Sequence, residues 1–87
     1  MVVVRGLIWD DWNRQHLAGH NVIPEEVEDV CHLRHEVRES YRKRLQVLGK
    51  TKKGRVLVII LSPEDRTGQP YDEGVYYVIT AFEEGRL

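Results

Sequence analysis

Basic side chains crowd one stretch of this chain. Arg42, Lys43, Arg44, Lys50, Lys52, Lys53 and Arg55 fall within residues 42–55, and no Asp or Glu lies among them. More than half of the thirteen Lys and Arg residues sit there. Such a cluster suits a polyanion, because each cation that meets a phosphate releases a condensed counterion. It is equally the composition of a solvated hairpin whose charges discourage edge-to-edge aggregation. Tyr41, beside the cluster, offers a ring on which a nucleobase could stack. His20 and His35 are the candidate proton carriers, since histidine is the residue type that titrates nearest neutrality. His20 has a competing role at a helix C-terminus, where an imidazolium complements the dipole.

Other chemistries fit less well. His16 and His20 are four apart and could share one helix face, but Leu17-Ala18-Gly19 between them lacks the Glu of a hydrolytic zinc helix. Cys31, His32 and His35 supply a single thiol, not the paired cysteines of a structural zinc site. No metal and no cofactor is therefore expected. Cys31 lies on the apolar stripe of a helix and reads as a small core residue. There is no nucleophile triad and no glycine-rich phosphate loop.

With 87 residues the chain is expected to form one domain over 1–87. A chain of this size buries only about 60% of its unfolded surface, so the core is thin. Hydrophobic residues make up 41% and charged residues 31%, which is the composition of a folded domain and not of a disordered one. One cysteine excludes an internal disulfide and points to a cytoplasmic setting. No apolar run approaches the ~18 residues that span a bilayer, so no membrane association is expected. The opening Val2–Val4 is too short for a signal peptide. The net charge of −1 hides a polarised distribution. Glu64, Asp65, Asp72, Glu73, Glu83 and Glu84 face only Arg66 and Arg86 in the last third.

The elements that must position these groups can be read along the chain. A strand is expected over Val2–Trp9. Asp10 is a good N-cap for a helix over Asp11–His20, in which Trp12 and His16 recur at the spacing of one packing face. Asn21 tolerates the left-handed conformation that ends a helix. Pro24 opens a second helix over Pro24–Leu33, with Glu25, Glu26, Glu28 and Asp29 near its positive dipole end. The second half reads as strands. Glu36–Ser40 is a short polar edge. Arg44–Lys50 alternates with Leu45 and Val47 inward. Thr51–Gly54 is a hairpin turn. Arg55–Leu61 is a continuous apolar run suited to a central strand. Residues 62–74 form a long loop and Val75–Ala81 the last strand. The order β-α-α-β-β-β-β predicts an α+β domain in which two N-terminal helices pack on one face of a mainly antiparallel sheet.

Trp9-Asp10, Asn13, His16, His20-Asn21-Val22 and Pro24-Glu25-Glu26-Val27 resemble the front of the BrnT-like toxins. Arg44, Gly54-Arg55 and the closing Tyr77-Val78-Ile79-Thr80-Ala81 follow in matching order, so the similarity covers residues 7–81. The resemblance implies a RelE-like fold and a bacterial type II toxin–antitoxin role. It also implies a metal-independent endoribonuclease activity held in check by an antitoxin protein. The segment after Ala81 departs from the family: Phe82-Glu83-Glu84-Gly85 stands where an arginine-rich stretch is expected.

Cutting RNA without a metal needs a base for the 2′-OH, a cation for the charge gathering on phosphorus and an acid for the leaving 5′-oxygen. On that reading Arg44 and Arg55, on neighbouring strands, grip one phosphate between them. His20 and His35 move protons, and Arg42, Lys43, Lys50, Lys52, Lys53 and Tyr41 bind the RNA. The alternative reading is a catalytically inert domain of the same fold that binds protein or RNA as a regulator. Either way the expected partners are RNA and an antitoxin, in a homodimer or a toxin–antitoxin hetero-oligomer.

Overall fold

The computed structural model describes residues 3–85. Its elements are β1 (Gly6–Ile8), α1 (Asp11–Ala18), α2 (Pro24–His32), β2 (His35–Glu39), a 3₁₀ turn (Tyr41–Lys43), β3 (Leu45–Lys50), β4 (Val56–Ser62) and β5 (Val75–Glu83). The fold is α+β, with two helices and a five-stranded mixed sheet in the order β1-β5-β4-β3-β2. β1 runs parallel to β5, and all other neighbours are antiparallel. No helix among the described residues is long and apolar enough to cross a membrane.

The expected element order is the observed one, and the differences lie at the ends. The first strand begins at Gly6, and Val2 of the expected span lies outside the described residues. α1 stops at Ala18, because Asn21 already has a φ of 59° and the turn before it closes on Leu17 and Ala18 carbonyls. β5 runs on through Phe82 and Glu83, past the expected end at Ala81.

The core follows from strand alternation. Leu45 pairs with Leu61 and Val47 with Ile59, and Ile59 and Leu61 pair with Ala81 and Val78. All of them face the helices, which contribute Leu17 from α1 and Val27, Val30 and Cys31 from α2. β4 is central, as its unbroken β-branched run requires, and Val58 is buried on the opposite face. Gly49 lets α2 sit close. A Cβ there would come within 2.9 Å of Val30 Cγ1 and 3.0 Å of His35 Cβ.

α1 is fixed by one buried polar side chain. β1 ends where Ile8 pairs with Tyr77, leaving the carbonyl of Val78 without a strand neighbour on that side. Asn13 takes over. Its Nδ2 donates to Ile8 O at 2.9 Å and to Val78 O at 3.1 Å. Its Oδ1 accepts from the Asp10 N–H at 2.9 Å, while Asp10 Oδ1 accepts from the Asn13 N–H at 2.9 Å. This reciprocal cap joins helix start, strand end and sheet edge in one group that is fully buried.

Replacing Asn13 by Ala strands two carbonyls and an N–H in that region. The expected cost is about 2–4 kcal/mol in a urea unfolding titration. Asn13→Asp is expected to be as damaging, since a carboxylate there meets the carbonyls of Ile8 and Val78 with no proton to donate.

Candidate functional site

The sheet face away from the helices carries a polar row at one end. Ser62 pairs with Tyr77, and Arg44 precedes Leu45, the partner of Leu61. Alternation therefore puts Arg44, Ser62 and Tyr77 side by side on that face. The 62–74 connection folds over them. It is an ordered hairpin: Glu64 bridges to Pro70, and Asp65 Oδ1 accepts from Thr67 N, Thr67 Oγ1 and Gln69 N at 2.7–3.0 Å. The start of α1 closes the third side. Together these walls enclose an open cleft of about 740 Å³, lined in part by Asp10, Trp12, Arg44, Arg66, Tyr71 and Tyr77. A bulge in β5 at Ile79 turns that residue into the cleft as well.

The electrostatics are mixed and mostly prearranged. Tyr77 Oη donates to both Asp10 oxygens at 3.0 Å. The Asn13 N–H, the Tyr77 hydroxyl and the nearby Arg66 charge hold the Asp10 carboxyl below its ordinary range. Burial and the Asp10 carboxylate push Tyr77 up, and burial with Asp65 and Asp10 does the same to Tyr71. Both phenols therefore keep their protons. Arg66 places its Cζ 5.7 Å from the Trp12 ring centroid. Among the described residues Arg44 has no salt bridge and no side-chain hydrogen bond, which leaves its guanidinium available. Trp12 is 51% exposed. His16 stacks on it with centroids 5.0 Å apart and places Nε2 3.1 Å from Thr80 Oγ1.

The structure overturns the expected two-arginine phosphate clamp. Arg44 and Arg55 sit at opposite ends of the β3–β4 hairpin. β3 has six residues, which separates them by about 20 Å at about 3.3 Å per residue. Arg55 is also consumed by its own molecule. Its Nε donates to Glu83 Oε2 at 2.8 Å, and its Nη1 donates to Glu26 at 2.8 Å and to Asn21 O at 2.7 Å. It is a structural tie between α2, β5 and the turn after α1. The same strand length splits the basic stretch into two groups, Arg42–Arg44 at one end and Lys50–Arg55 at the other.

The remaining candidates are scattered. His20 follows α1, with its ring 5.3 Å from His16 and 6.4 Å from Phe82, and does not line the cleft. His35 opens β2 near the other end of the sheet, with Nδ1 2.8 Å from Leu33 O. Lys52 Nζ lies 3.8 Å from Asp29, while Lys50 and Lys53 are exposed at the hairpin end. Tyr41 is exposed with Arg42 Cζ 5.3 Å from its ring centroid, and Arg42 and Lys43 occupy left-handed backbone with φ of 58° and 63°. Of the named set, only Arg44 lines the cleft. Cys31 is buried as expected, and burial pushes its thiol up to about 12.

Sequence reasoning missed Arg66, Tyr71, Tyr77, Trp12 and His16 as neighbours of one site. Arg66 was masked by the acids around it, and Trp12 and His16 have the spacing of a buried stripe yet face outward. Among the described residues no three His, Cys, Asp or Glu side chains converge as metal ligands. No family model, curated protein or solved structure matches this chain.

Two expectations follow for stability. Arg55→Ala removes the guanidinium that ties Glu26, Glu83 and the Asn21 carbonyl together. It is expected to cost about 2 kcal/mol in chemical unfolding, whereas Arg44→Ala leaves the midpoint unchanged. The depressed Asp10 carboxyl stabilises the fold fully above its free value near 3.8, and that contribution is lost as pH falls through its lower folded value. Asp10→Asn keeps a capping oxygen without the charge, so its acid-unfolding curve should be shallower than the wild type below about pH 4.

Proposed function

We propose that this domain is a BrnT-like, RelE-type toxin that cleaves RNA without a metal, with its site in the cleft around Arg44 and Arg66. The observation that carries the reading is the pairing of an unengaged arginine with a second one beside an exposed tryptophan in one open cleft. Two guanidiniums suit the transfer of charge onto a phosphate. In the reaction the 2′-oxygen attacks phosphorus, its proton passes to a base, and the 5′-oxygen leaves with a proton, giving a 2′,3′-cyclic phosphate end. Tyr77 commits its proton to Asp10, so its oxygen is left as an acceptor for a ribose hydroxyl. His16 does not line the cleft but stacks on Trp12, which does, and it is the residue type suited to moving a proton. An antitoxin segment that covers the cleft would silence the activity.

A specific observation favours the inert alternative. The Asp10 carboxyl is held down and the Tyr71 and Tyr77 phenols are held up, so these cleft groups are poor proton shuttles near neutrality. In that case the same cleft binds RNA without cutting it.

The deciding experiment is incubation of purified protein with a labelled RNA in EDTA, beside an Arg44→Ala, Arg66→Ala double variant. The toxin reading expects cyclic-phosphate products from the wild type and a rate lowered by about a hundredfold or more in the variant. RNA retention without cleavage by the wild type supports the inert reading. Loss of neither binding nor cleavage in the variant removes the cleft from the function altogether.

A further inference from the structure

β2 is the outer strand of the sheet, paired with β3 on one side and, among the described residues, with no strand on the other. A bare edge is a template for another strand. The sequence of this edge is His35-Glu36-Val37-Arg38-Glu39, and it reads as its own electrostatic complement when reversed. Antiparallel pairing of two copies about Val37 sets Val37 opposite Val37, Glu36 opposite Arg38 and His35 opposite Glu39. Every charged residue then faces an opposite or titratable partner, and by symmetry each such pair occurs on both sides of the axis. Sliding the pairing by two residues sets Glu36 against Glu36 in one direction and Arg38 against Arg38 in the other. The charge order thus selects one register.

The surroundings fit the same arrangement. Val37 pairs with Val47 and packs on the rim of the core, so a second Val37 beside it would extend the buried layer. Glu36 and Arg38 project on the opposite face, where both are exposed. Two of the large apolar side chains exposed in the structure flank the strand: Leu33 before it at 43% exposure and Tyr41 after it at 73%. In the register about Val37 the Leu33 end of one copy meets the Tyr41 end of the other, so both patches are covered together.

We propose that the β2 edge is a homodimer interface, in which two copies join through an antiparallel β2–β2 pair on a two-fold axis at Val37 to make one continuous ten-stranded sheet. Main-chain hydrogen bonds and the Val37, Leu33 and Tyr41 contacts supply the attraction. Exposed ion pairs add little affinity and serve to fix the register. The inference does not depend on what the cleft binds.

Sedimentation equilibrium of the wild type, Arg38→Glu and the Glu36→Arg, Arg38→Glu double variant tests it, with circular dichroism checking that each is folded. The expected result is a wild-type dimer, a dissociation constant raised by about tenfold or more in Arg38→Glu, and recovery to near the wild-type value in the double swap. Val37→Cys provides a second readout. Opposed Cα atoms in an antiparallel pair lie about 4.5–5.5 Å apart, within disulfide reach, so this variant is expected to cross-link to itself under mild oxidant while Arg38→Cys does not. Buried Cys31 is present in both and serves as the background. A wild type that stays monomeric at several hundred micromolar overturns the proposal. So does a dimer indifferent to Arg38→Glu, or a double swap that fails to recover.

Discussion

The fold turns on a single buried amide. Asn13 closes the gap left where a three-residue strand stops short of a nine-residue one. A hydrophobic residue there would leave the Ile8 and Val78 carbonyls unpaired, at a cost comparable to a large share of a small domain's total stability. A charged residue could not both donate to the carbonyls and accept from the Asp10 N–H. The amide does both. Because Asn13 fixes the start of α1 against β5, it also fixes where Asp10, Trp12 and His16 stand over the open sheet face. Stability and site placement are thus coupled through one side chain.

Arg55 plays the matching part at the other end of the sheet. Its hydrogen bonds to Glu26, Glu83 and the Asn21 carbonyl gather α2, β5 and the interhelical turn around the β3–β4 hairpin. Glu26 and Glu83 both accept from this one half-buried guanidinium, which raises the cost of removing it. An arginine so engaged has no donors to offer a ligand in the same geometry. The cleft arginines differ in this respect: Arg66 lies over an aromatic ring and Arg44 stands at a strand start beside solvent.

The two faces of the sheet divide the labour. The helix-covered face holds nearly all of the core, which leaves the other face and the β2 edge free for contacts. At one end the 62–74 hairpin, α1 and the strand ends form a polar cleft. At the outer edge a five-residue strand presents charges in a self-complementary order. The two features meet near Arg44, which lines the cleft and whose N–H donates to the Tyr41 carbonyl at 3.2 Å just beyond the end of β2.

Much of the architecture was legible in the residues. Asp10 as a cap, Asn21 in left-handed backbone, Pro24 at a helix start, and the alternation of Leu45 and Val47 against the unbroken 56–61 run are local properties. Each is set by one residue's sterics or by a short periodicity, which is why chain order alone located them. The site was less legible. Arg44 and Arg55 are eleven positions apart in sequence, and hairpin geometry alone sets them at opposite ends. Charge pairing between Arg55, Glu26 and Glu83 joins residues 28 and 29 positions apart and leaves no local trace. Trp12 and His16 share a spacing that signals burial, yet α1 lies against the sheet edge and turns them outward to Arg66 and Thr80. Local sterics and periodicity therefore determined the elements, whereas the packing of those elements decided which charges are neutralised within the fold and which remain to meet a partner.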